Sequence, residues 1–218
     1  GLGDVYKRQS RVQVRGFGRS TSAKAVWAAK RERTADIVVQ GHTLYAVTDK
    51  AIQAVPKPFF KALSDGMNRK AQGYAREILR NVKDLPEGTE AAISFAIDGS
   101  LKHVFTGTGP DMSVAIRGMQ HPYVLLHNHA SNDILSPEDI LALIRHDNMV
   151  AIGAVGNKGA LFTCEKVFGY SREKAVSFYQ SILGQYPEMH VNLEQRVQFM
   201  QSFMKGAEKY GLHFSSPG

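Results

Sequence analysis

Val124-Leu-Leu-His127-Asn-His129-Ala-Ser-Asn-Asp-Ile-Leu-Ser136-Pro-Glu-Asp139-Ile140 is the stretch on which the reading of this chain turns. Its apolar opening has the character of a buried strand. Side chains alternate faces along a strand, so His127 and His129 point the same way and offer two imidazoles to one ion. Six residues then lead to Ser136. Ser136 suits a helix N-cap, Pro137 the first helical position, and Asp139 the third. A short loop from strand end to helix start can return the Asp139 carboxylate to the same ion. Two histidines and one carboxylate leave the fourth tetrahedral position of zinc open to water, the pattern of a catalytic site. Zinc brings the pKa of such a water to roughly 7.

Strand-like and helix-like segments alternate on both sides of this stretch. Asp36–Gln40 and Thr43–Val47 read as a hairpin around Gly41-His42. Pro56 and Pro58 open a predicted helix over 58–82, with Leu63, Met67, Tyr74, Ile78 and Val82 as its apolar stripe. Pro86-Glu-Gly88 ends it. Strands are expected at 90–97, 101–105, 112–116 and 123–127, the first two joined by the Asp98-Gly99 turn. The Ser136 helix runs to about residue 148. A hairpin of 150–155 and 160–163 turns at Asn157-Lys-Gly159. Helices over 172–185 and 193–210 close the chain, the latter with Leu193, Val197, Met200, Met204 and Ala207 on one face. The expected class is α/β, a mixed sheet flanked by helices, with extra C-terminal helices.

The central stretch resembles the JAMM motif of MPN-domain metalloproteases. Its wording is nearest to bacterial and phage members and to RadC-type proteins. The resemblance spans about residues 58–165 and implies a core of the JAMM and cytidine-deaminase kind. It implies zinc on His127, His129 and Asp139. The family's catalytic Glu maps to Glu90, at the head of Glu90-Ala-Ala-Ile-Ser-Phe-Ala-Ile97, with Glu87 as the fallback, and its Ser maps to Ser136. The implied reaction is hydrolysis of a peptide or isopeptide bond. Glu90 would take a proton from water and deliver it to the leaving amine, while Ser136 donates to the oxyanion. Two departures stand out: six residues rather than seven separate His129 from Ser136, and Ala130 replaces the usual proline.

Charge and composition bound the rest. The net charge of +7 lies wholly in residues 1–35, which hold nine Lys/Arg and two Asp/Glu; the remainder is neutral. That tail permits three readings: a disordered leader, of which residues 1–9 look like non-native adapter read-through; contact with nucleic acid; or an organelle presequence. The expected organisation is a basic tail (1–35), a hairpin and linker (36–57), the metallohydrolase domain (58–168) and a C-terminal helical extension (169–218). A single cysteine, Cys164, excludes an internal disulfide, a Cys-rich zinc module and the P-C-x-x-C deaminase site. A PHP-type phosphoesterase also opens with H-x-H but needs later clusters that this chain lacks. No apolar run reaches membrane-span length, and a cytoplasmic protein is expected. The partner is a protein or peptide substrate, with a homo-oligomer through the C-terminal helices as a further expectation. The alternative is a non-enzymatic JAMM-like scaffold, or a RadC-type protein, in DNA metabolism or phage assembly.

Overall fold

A computed structural model describes residues 37–39, 42–86, 88–107 and 118–216. The basic tail, the expected strand at 112–116 and Glu87 lie outside the described residues. Strands β1 (Ile37–Val39) and β2 (His42–Leu44) pair antiparallel as the sequence predicts. Helix α1 (Asp49–Ala54) follows, capped by the Thr48 side chain, which accepts from Ala51 N–H.

Helix α2 (Asp65–Lys83) begins later than predicted. Pro56 and Pro58 do not open it. Ser64 does, accepting from Met67 N–H at 3.2 Å, with Asp65 favourably placed at the positive end of the helix dipole. Its buried stripe is Met67, Ala71, Ala75, Ile78, Leu79 and Val82.

Strand β3 (Ala91–Ala96) is buried at every position, and β4 (Lys102–Thr106) is largely exposed. Gly99 takes the positive φ of +78° in the turn between them. Then come β5 (Tyr123–His129), α3 (Pro137–Arg145), β6 (Met149–Gly156), β7 (Leu161–Lys166), α4 (Arg172–Gln185), α5 (Leu193–Ala207) and β8 (Leu212–Ser215).

Six strands form one mixed sheet in the order β4-β3-β5-β6-β7-β8, parallel where β5 meets β6 and antiparallel elsewhere. This is the expected α/β class. Alternating side chains divide the core in two. Ile93, Phe95, Val124, Leu126, Ala151 and Val155 pack with the α1 and α2 residues. Ala92, Tyr123, Leu125, Ile152, Ala154 and Cys164 pack with α3, α4 and α5. Both faces being covered accounts for the largely apolar β3 and β6 and for the apolar first half of β5.

The C-terminal segment is built into this core. The buried face of α5 is Phe199, Met200, Phe203 and Ala207, while Leu193 and Val197 of the expected stripe are about half exposed, at 50% and 48%. The aromatic residues win because each removes more apolar surface from water. Strand β8, which the sequence reading lacked, pairs with β7 and seats Phe214 opposite Cys164. Complete burial raises the Cys164 thiol pKa well above its ordinary range, so it is packing rather than a nucleophile.

Candidate metal centre

The parallel β5–α3–β6 unit sets the site at the carboxyl end of β5, where the chain leaves the sheet. Alternation along β5 sends His127 and His129 to the face that α3 covers. Their Nε2 atoms lie 2.9 Å apart, with the rings edge to face. Asp139, in the first turn of α3, brings Oδ1 to 3.1 Å from His127 Nε2 and Oδ2 to 3.3 Å from His129 Nε2. One ligand atom from each of the three lies within 4.8 Å of the others, and the group can hold a metal ion. The sequence-predicted triad is therefore assembled.

The surroundings suit a cation. Zinc–nitrogen bonds of about 2.0–2.1 Å at tetrahedral angles separate donor atoms by roughly 3.3 Å, close to the 2.9–3.3 Å seen here. His129 Nδ1–H donates to the Asp133 carbonyl at 3.2 Å, so the neutral ring carries its lone pair on Nε2, facing the centre. His127 is 6% exposed, and its Nδ1 has no hydrogen-bond partner among the described residues. Burial opposes charge on His129, but hydrogen bonding and charge from Asp139, the Asp133 carbonyl and the charge of Glu90 outweigh it and raise its pKa. Burial would likewise raise Asp139. The charge and hydrogen bonds of the two imidazoles overcome it and hold the carboxyl well below the ordinary range.

Ser136 caps α3 and braces the carboxylate. Its backbone N–H and its Oγ–H both donate to Asp139 Oδ2 at 2.7 Å, while Oγ accepts from Asp139 N–H at 3.1 Å. The hydroxyl proton is thus directed at Asp139.

Glu90 lies one residue before β3. It is two residues beyond the last β3–β5 pair, Ala92 with His127. Its charge acts on His129, and its carbonyl accepts from Gly107 N–H at 2.6 Å. His146 sits at the far end of α3 as its C-cap and is not in the group.

Three asparagines that sequence reasoning passed over hold the strand ends together. Asn128 is fully buried and bonds to Ala91 N–H, the Thr89 carbonyl and Asn157. Asn157 Nδ2–H donates to the Tyr45 carbonyl at 2.7 Å, and Asn157 N–H to the His129 carbonyl at 3.1 Å. Asn132, at φ +59°, donates its N–H to the same His129 carbonyl, and its Oδ1 accepts from Lys158 N–H. It nests against Gly156, where a Cβ would stand 2.0 Å from Asn132 Oδ1. One signal was available: Asn128 breaks an apolar run at a position facing away from the histidines, and a buried amide needs partners.

No family model, curated protein or solved structure matches the chain.

Proposed function

We propose that the chain is a zinc-dependent hydrolase of peptide or isopeptide bonds, of the JAMM type that its central motif resembles. One observation carries this reading: His127, His129 and Asp139 converge on one point, and the charge of Glu90 acts on His129. Zinc, when bound there, supplies a Lewis acid and a water acidic enough to ionise near neutrality.

The chain's own residues do the rest. Asp133 fixes the His129 ring through its carbonyl, and Ser136 fixes the Asp139 carboxylate. Asp139 supplies the carboxylate oxygen of the ligand set. Glu90 is the group that takes a proton from the attacking water and returns it to the leaving amine. Ser136 serves the oxyanion once its hydroxyl turns away from Asp139. Among the described residues no helix is long and apolar enough to cross a membrane.

The test is metal analysis of the purified chain, followed by turnover of quenched fluorescent peptides and of an ε-lysyl isopeptide, with and without chelator. Chelator-sensitive cleavage is expected. Metal binding with no cleavage of either substrate class would favour the scaffold reading, and a chain that takes up no metal would remove the hydrolase reading.

A further inference from the structure

Asn128 stands between the two histidines and faces the opposite side of the sheet. Its Oδ1 accepts from Ala91 N–H at 2.7 Å, and its Nδ2 donates to the Thr89 carbonyl at 3.2 Å. Thr89 and Ala91 are the chain neighbours of Glu90. One side chain therefore grips the backbone immediately before and immediately after the proposed proton carrier.

The orientation of this amide is determined by its surroundings. Asn157 donates through Nδ2 to Tyr45, which turns its Oδ1 toward Asn128 Nδ2 at 3.3 Å. Donor and acceptor ends of Asn128 then have a single consistent assignment. The grip also falls where it is needed. The β3–β5 register runs from Ala96 back to Ala92 and ends there. Asn128 extends the attachment of β3 to β5 past that point with a side chain, while Gly107 N–H, one residue after β4, holds the Glu90 carbonyl. Burying an amide costs free energy that an apolar residue of similar volume would not incur. What Asn128 provides in return is placement.

We propose that Asn128 is a positioning residue that fixes Glu90 by bracketing its backbone. The proposal rests on the reading of Glu90 as the proton carrier. The ligands themselves lie on the other face, so Asn128 should govern the base and leave the metal alone.

Asn128→Leu preserves volume and removes both bracket bonds. In the cobalt-loaded variant the parental ligand-field absorption is expected to persist. Turnover of the quenched peptide that the parent cleaves fastest should fall by about 10²-fold in kcat, with KM near parental. In a Glu90→Gln background the same substitution should cost no further kcat, because the residue that it places no longer moves a proton. Loss of the cobalt spectrum, or losses that multiply in the double variant, would overturn the proposal. If the leucine variant does not fold, Asn157→Ala leaves both bracket bonds in place and removes the support of the Asn128 amide, together with the bond to the Tyr45 carbonyl. A smaller kcat loss is then expected, again absent behind Glu90→Gln, and a multiplying loss counts against the bracket. Amide exchange gives a readout without turnover: Ala91 N–H should be protected in the parent and lose protection in Asn128→Leu, with β6 unchanged. A parent that cleaves nothing but protects Ala91 keeps the bracket and removes the hydrolase reading. Fast exchange at Ala91 in the folded parent removes the bracket itself.

Discussion

Ser136 and Asp139 are bound to each other by three hydrogen bonds, and the same carboxylate faces both candidate histidines. Oδ2 closes the capping box of α3 and lies 3.3 Å from His129 Nε2, while Oδ1 faces His127 at 3.1 Å. S-x-x-D as a cap and S-x-x-D as part of a metal centre are therefore one arrangement. The cap holds the carboxylate still, and the helix start sets its depth beside the strand end.

His129→Ala should abolish tight metal binding. It removes the ligand whose tautomer is fixed by the Asp133 carbonyl, and two remaining donors do not close a site. Metal content by mass spectrometry after gel filtration checks this. Parental zinc content in the variant would cancel the ligand assignment.

Glu90→Gln should keep the metal and lose hydrolysis, by about 10²–10⁴-fold. The amide matches the carboxylate in shape but takes no proton. Metal content and kcat are measured on the same preparation, and parental turnover would show that another group is the base.

Gly156→Ala tests the support of the loop that follows β5. A Cβ there meets Asn132 Oδ1 at 2.0 Å and its Cα at 2.9 Å, so the loop carrying the Asp133 carbonyl must shift. Metal affinity should fall by roughly 10–100-fold, as when a ligand's hydrogen-bond partner is lost. A chelator competition titration reads the effect, with circular dichroism to confirm that the sheet persists. Unchanged affinity would show that the loop adjusts without cost.

Lys166 gives a pH-dependent prediction away from the site. Burial lowers its ammonium pKa from 10.5 to about 8, although Nζ donates to the His146 carbonyl at 2.8 Å. Between those values the unfolded chain binds more protons than the folded one, so stability rises with pH through that window. Below it the cost of the buried charge is felt in full. Lys166→Met should therefore stabilise the fold at pH 7, and the gain should fade toward pH 10.5. The His146 carbonyl keeps its bond from Met149 N–H. Urea midpoints at pH 7 and pH 10 decide the matter, and equal gains at both would refute it.

Deleting residues 1–35 should leave the fold and the metal centre intact. The sheet, its helices and the candidate ligands all belong to the unit that spans residues 34–218. If the full chain binds DNA, that binding should fall steeply with salt and be largely lost on deletion. A truncated chain with no cooperative unfolding transition would show that the basic segment is structural.

What the sequence made legible follows local chemistry. His127 and His129 share a face because strands alternate, and Ser136, Pro137 and Asp139 announce a helix start in four residues. All three expected hairpin turns are marked by glycine, and the expected helix over 172–185 matches α4. The misreadings come from tertiary choices. Ser64 outcompetes Pro58 for the start of α2 because its hydroxyl reaches Met67 N–H. Leu193 and Val197 have the spacing of a buried stripe, but Phe199 and Phe203 take the core. Leu212–Ser215 is too short to declare itself a strand until β7 offers an edge. The role of Asn128 depends on the β3–β5 register, which no local pattern specifies.

The pairing of β8 with β7 also has a temporal consequence. Thr163 and Ser215 are ladder partners 52 residues apart. On a ribosome, β7 emerges well before the strand that covers its edge. During that interval the nascent chain presents a row of unpaired amides beside Phe162 and the apolar surface destined for Phe214, an invitation to pair with another chain. The candidate metal ligands, all N-terminal to β7, have emerged by then. Early metal capture would steady the partly made sheet, whereas slow translation between residues 167 and 211 would prolong its exposure to aggregation.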